Sequence, residues 1–182
     1  MGRGRKYRPK WQIQIDAALF RYVDDPTTIR IQEGRLRELR LTGTRTTAAY
    51  SLAGGGGGES VTKEERYVLE MEQAEEQIRI SQERMRLVSK LYCEHFSAEE
   101  QEFIRLFWLD VKPVDRGLIW LRNQAVIGEV GWLRDPEDRR RPSDSFWIWR
   151  KRIYNKWWNL LFPDIPKDET GTDYIEHGAL GN

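Results

Sequence analysis

Residues 63–95 read KEERYVLEMEQAEEQIRISQERMRLVSKLYCEH, with neither proline nor glycine in the run. The apolar side chains advance in steps of four and three, through Tyr67, Met71, Ala74 and Ile78 and then Ser81, Met85, Val88 and Tyr92. A strand would repeat every second residue, so this spacing predicts one long α-helix with a heptad seam broken at polar Ser81. Thr62 and Glu65 stand at the spacing of a capping box, which sets the helix start. The seam needs a cover: helices of the same chain, or a second copy in a homodimer. Ala74 and Ser81 are small or polar for a dimer seam, which favours packing within the chain.

Upstream, residues 1–42 are expected to form N-terminal helices. Trp11, Ile15, Ala18, Leu19 and Tyr22 lie at helical spacing, and Ile29, Leu36 and Leu39 follow less cleanly around Gly34. Asp24-Asp25-Pro26 predicts a split, with the proline near the start of a second helix. Residues 43–62 contain Gly54 to Gly58, five glycines in a row, and are expected to be a flexible, poorly ordered tether. No Gly-Lys-Ser/Thr follows and no apolar strand precedes, so a phosphate-cradling loop is not supported. Downstream, residues 97–163 hold most of the tryptophans. Ser97-Ala98-Glu99-Glu100 caps a helix that buries Phe103, Ile104, Phe107 and Trp108 and stops before Pro113. Residues 114–134 read as one or two short helices, 135–142 as an arginine-rich turn, and Ser143 caps a last helix ending near Phe162. Residues 164–182 read as an acidic flexible tail. The fold class is all-α.

Charge is segregated behind a net value of +1. Residues 1–10 carry five cations and no acid, and residues 59–102 hold twelve acids against six bases. Residues 139–159 then hold seven bases against the lone Asp144. A basic block in a balanced chain reads as a focused anion-binding surface. There is no apolar run long enough to span a membrane, and the single Cys93 fits a reducing compartment such as the cytoplasm. Cys93 and His95 lack two further ligands for a metal set. The glutamates from Glu64 to Glu76 lie on a wet helix face, where pairs such as Glu75 with Arg79 give solvation. No nucleophile–histidine–acid constellation is present. The reading is a non-enzyme that needs no cofactor.

The last helix carries the functional reading. Phe146, Trp149, Ile153, Trp157 and Leu160 recur at three- and four-residue steps and are expected to face the core. Trp147, Arg150, Lys151, Arg152, Tyr154, Asn155 and Lys156 are then left outside, with Arg139, Arg140 and Arg141 just before the positive helix start and hydroxyls at Ser143 and Ser145. Cations neutralise phosphates, arginine and asparagine pair with base edges, and a helix fits the major groove. These residues predict a double-stranded DNA surface on the second helix of a helix-turn-helix.

The order of features resembles the RinA/ArpU-type phage regulators, carried by Trp11 to Pro26 (WQIQIDAALFRYVDDP), Leu91 to Leu109 (LYCEHFSAEEQEFIRLFWL) and Ser143 to Leu161. The resemblance implies a late-gene transcriptional activator with a helix-turn-helix like region 4 of sigma factors, acting in the bacterial host cytoplasm and touching host RNA polymerase. The interval from Phe103 to Arg150 is longer than that family usually shows. The first helix of the DNA-reading pair is therefore open between Asp115–Gln124 and Val126–Arg134. A phage small terminase subunit and a helical protein-binding adaptor remain alternatives.

Overall fold

The computed structural model describes the backbone of residues 7–50, 63–168 and 171–173, and the side chains of residues 8–42 and 64–168. The fold is all-α. Its elements are β1 (Tyr7–Pro9), α1 (Lys10–Tyr50), α2 (Lys63–His95), α3 (Ala98–Ile104) running into a π turn (Arg105–Leu109), α4 (Ile119–Glu129), α5 (Asp144–Leu161) and β2 (Gly171–Asp173). They form two compact units: Tyr22–Val88, and Met1–Arg21 with Ser89–Asn182. No helix among the described residues is long and apolar enough to cross a membrane.

The first unit is an antiparallel hairpin of α1 and α2. Asp25 meets Arg84 at 3.1 Å, Arg35 meets Glu70 at 3.3 Å and Arg40 meets Glu75 at 3.6 Å, so one helix ascends as the other descends. Along α2 the predicted seam is the covered face, with Ala74, Ser81 and Val88 buried at seven-residue intervals. With Asp25, Arg35 and Arg40 of α1 paired to α2, α1 supplies the cover from within the chain. Met71, Ile78 and Met85 were expected to meet Trp11, Leu19 or Leu39. Trp11 and Leu19 belong to the other unit, where Trp11 packs on Tyr154 and Trp158 instead.

The expected split at Asp24-Asp25-Pro26 does not occur: α1 runs unbroken through Pro26. Among its covered positions in the hairpin, Tyr22, Asp25, Ile29, Gln32, Leu36 and Leu39 follow a heptad, with Val23 and Thr28 flanking it. Two of those positions are polar, which disguised the continuity in the sequence. Proline removes one backbone hydrogen bond, but its ring lies on the exposed side, and packing on both flanks holds the helix through it. The helix also passes its expected end near Thr42 and reaches Tyr50. Beyond Gly43 that stretch contains no proline or further glycine, and the helix runs through it, so the tether expected over 43–62 does not begin at 43. Its glycine run lies outside the described residues. Of the α2 acids, Glu75 faces Arg40, whereas Arg79 pairs with Glu76 at 2.6 Å and Glu83 at 2.7 Å.

The second unit packs α3, the π turn, α4 and α5 around the start of α1. Phe103, Phe107, Trp108, Ile127, Leu133, Phe146, Ile153 and Trp157 form its dry centre with Ile15 and Leu19. The rings stack as rigid blocks: Phe96 lies 4.6 Å from Trp157 and Phe103 lies 5.6 Å from Phe146. The capping box at Ser97 is complete, with Glu100 N donating to Ser97 Oγ at 3.3 Å and Ser97 N donating to Glu100 Oε2 at 3.1 Å. Ser143 caps α5 by accepting from Phe146 N at 3.3 Å.

Neither span weighed for the first reading helix matches α4. Pro113–Asp115 is a separate 3-10 turn and Gly117 interrupts before Ile119, while the helix continues across Gly128 to Glu129. The tail is also more tied than expected. Trp158 Nε1 donates to the Ile165 carbonyl at 3.1 Å, and β2 pairs antiparallel with β1 in the register Tyr7 to Asp173. Residues 174–182 of that tail lie outside the described residues.

Candidate nucleic-acid interface

The rotation of α5 decides which side chains can face a ligand. Phe146, Ile153 and Trp157 point inward as their spacing predicts, but so do Arg150, Tyr154 and Trp158. Trp149 and Leu160, expected in the core, are only half-buried. The buried stripe is therefore turned toward the 150–154–158 line. Reading polarity as exposure misplaced Arg150 and Tyr154, because both find partners inside.

Those partners centre on Asp16 of α1. Its Oδ1 accepts from Tyr154 Oη at 2.7 Å, from Trp108 Nε1 at 2.7 Å and from Arg122 Nη2 at 3.1 Å. Its Oδ2 accepts from Arg122 Nη1 at 2.6 Å and from Arg8, whose guanidinium also donates to Tyr154 Oη at 3.0 Å. Burial alone would raise the Asp16 carboxyl, but the Arg122 and Arg8 charges and the hydrogen bonds outweigh it and hold the group well below the usual carboxylate range. Burial and the Asp16 charge push the Tyr154 phenol up. Arg150 covers this network, its guanidinium 5.4 Å from the Phe107 ring and 5.7 Å from the Tyr154 ring. Arg150 and Tyr154 therefore belong to the core and not to a DNA surface. Arg150→Ala is expected to cost about 1–3 kcal/mol of stability, whereas Lys151→Ala should leave the melting temperature near wild type. Thermal unfolding of the two variants reads the difference, and equal midpoints would return Arg150 to the surface.

The outward cations are not equivalent. Arg152 and Lys156 both donate to Glu100, each at 2.8 Å. Burial works against that carboxylate, yet Lys156, the Ser97 N–H and Arg152 hold it below its ordinary value. Asn155 accepts from Lys167 at 2.7 Å, so the returning tail covers it. Arg141 pairs with Asp138 at 3.1 Å. Lys151, Arg139 and Arg140 are exposed and carry no side-chain partner among the described residues, and Ser145 is exposed beside them. Trp147 is half-buried, with the Arg150 guanidinium 5.5 Å from its ring.

Arg139 and Arg140 sit on an ordered loop. Ser143 N donates to the Leu133 carbonyl and Asp135 N to the Arg141 carbonyl, each at 2.9 Å, closing it at its base. Gln124 Nε2 donates to the Arg140 carbonyl at 2.8 Å, and Arg134 donates to the Ile127 and Gly128 carbonyls, which ties the loop to α4. Counting charge from residue 139 onward had left out Asp135, Glu137 and Asp138 on the same loop. The connection from α4 to α5, Val130–Ser143, is thus a closed loop, longer than the turn of about three or four residues in a compact helix-turn-helix.

The chain matches no family model, no curated protein and no solved structure.

The geometry alone therefore carries the functional argument. It leaves Ser145 and Lys151 on the solvent side of the first half of α5 and Arg139 and Arg140 exposed on the loop before it, while Arg141, Arg152, Asn155 and Lys156 have internal partners. Two apolar residues that sequence patterning did not single out share this side: Ile148, 67% exposed, and Trp132, 54% exposed. Only the position of Ile148, opposite Phe146 and Arg150 on the helix, could have signalled it.

Proposed function

We propose that the protein binds double-stranded DNA through the N-terminal half of α5 and the 135–142 loop, and serves as a phage-type transcriptional regulator. The observation that carries the binding reading is a set of exposed cations without side-chain partners among the described residues: Arg139 and Arg140 just before the capped start of an 18-residue helix, and Lys151 two turns along it. The loop is hydrogen-bonded to α4 and closed at its base, so little ordering cost falls on binding. The positive helix terminus adds to the field on phosphate. Arg152 and Lys156 contribute by exchanging Glu100 for phosphate at the rim. Lys151, Ser145 and, once Lys167 is displaced, Asn155 are the groups that reach groove edges. Late-gene activation and contact with host RNA polymerase follow the resemblance to RinA/ArpU-type regulators and form part of the same proposal. Hydroxyl-radical footprinting on phage late-promoter DNA tests it. A protected tract lost in Lys151→Ala is expected, and uniform cleavage at saturating protein and low salt would refute it.

A further inference from the structure

Trp132 stands in the 3-10 turn Gly131–Leu133, more than half exposed, while the next side chain, Leu133, is fully buried. Its ring is held in place. Trp149 meets it edge-to-face at 4.9 Å, and the Arg152 guanidinium lies 4.6 Å from the Trp149 centroid while Glu100 holds Arg152 from the other side. The backbone beneath is fixed by the Ser143 N to Leu133 carbonyl bond. Exposed Ile148 precedes Trp149 on α5. An indole face is thus preset in solvent, backed by a second indole and a cation, at the foot of the loop that carries Arg139 and Arg140.

Single exposed apolar side chains are ordinary on folded domains, but this indole is also fixed in orientation by a second ring and by the tied backbone beneath it, as a contact residue is. The surrounding charge selects what it contacts. An apolar protein helix would leave Arg139 and Arg140, on the loop that Trp132 precedes, without counter-charges. A nucleobase on its phosphate chain matches both halves: the base stacks on the indole, and the backbone meets the cations.

We propose that Trp132, backed by Trp149 and Arg152, is a stacking platform for an unstacked nucleobase. The platform rests on the DNA-binding reading of α5 and adds a ligand to it, since a paired and stacked base offers no free face to an indole. Such a base is presented either by a single strand or by a distorted duplex, and the two are separable.

The test uses the full chain with three fluorescein-labelled probes: a perfect duplex, the same duplex with one bulged adenine, and its single strand. The wild type is expected to bind the bulged duplex or the single strand about tenfold more tightly than the perfect duplex. The preferred probe identifies the source of the base. Trp132→Leu should bring that ratio close to one, Trp132→Phe should keep most of it, and Lys151→Ala should weaken all probes with the ratio preserved. Equal wild-type binding to the three probes, or a preference that survives Trp132→Leu, overturns the platform and leaves the α5 reading standing. Absence of binding to every probe at low salt overturns both.

Discussion

Asp16→Ala is expected to destabilise the aromatic unit by about 3–5 kcal/mol, the loss typical when one partner of a buried ion pair is removed. The Arg122 side chain is fully buried and its guanidinium would keep its charge with no carboxylate beside it. Tyr154, Trp108 and Arg8 would lose the same acceptor at once. Asp16→Asn, which keeps the shape and removes the charge, should be nearly as costly, because two guanidiniums then face a neutral amide. The effect depends on pH in one direction. The folded carboxyl ionises well below its ordinary value near 3.9, so its contribution is complete above about pH 4 and is withdrawn as the pH falls through the folded value. Urea denaturation across pH should show the gap between wild type and Asp16→Asn wide at neutrality and closing only in strong acid. A neutral-pH midpoint for Asp16→Asn equal to wild type would mean that the network is not a source of stability.

Trp157→Ala is expected to cost about 3–5 kcal/mol, as truncation of a fully buried tryptophan does. Its ring is inaccessible to solvent and stacks on Phe96, so the cavity left would sit between α5 and the end of α2 with no chain free to collapse into it. Trp149→Ala should cost only about 1 kcal/mol, because that ring is half-exposed and packs against the solvent-exposed indole of Trp132. Periodicity alone places both tryptophans on the same inward stripe, which predicts equal losses. Chemical denaturation of the two variants distinguishes the readings, and equal shifts would restore the periodic stripe.

The contrast shows what the sequence could and could not say. The helices themselves were legible: the α2 seam, the capping box at Ser97 and Glu100, and the Ser143 cap all rest on local spacing, and local spacing survives folding. What was hidden is where polar residues serve the interior. Asp25 and Gln32 occupy heptad positions in α1, so a pattern built on apolar residues saw a break at Pro26 where the helix is continuous. Asp16, Arg122, Arg150 and Tyr154 are four polar side chains buried together, and no one of them signals its partners from sequence distance. The same blindness shaped the candidate surface. Arg150 and Tyr154 were counted toward DNA because they are polar, and the neutralising roles of Glu100 and Lys167 require knowing what packs beside α5. Arg139, Arg140 and Lys151 survive because no side chain among the described residues pairs with theirs.

Those three residues give the most direct measurement of the central claim. Duplex DNA binding by the full chain is titrated across a salt series for the wild type and for the Arg139→Ala/Arg140→Ala/Lys151→Ala variant, with unfolding curves confirming that both are folded. The account predicts that the logarithm of the wild-type affinity falls linearly with the logarithm of salt concentration, and that the triple variant binds more weakly with a slope shallower by roughly 2–3, about 0.9 for each lost phosphate contact. A folded triple variant with the affinity and slope of the wild type would contradict it.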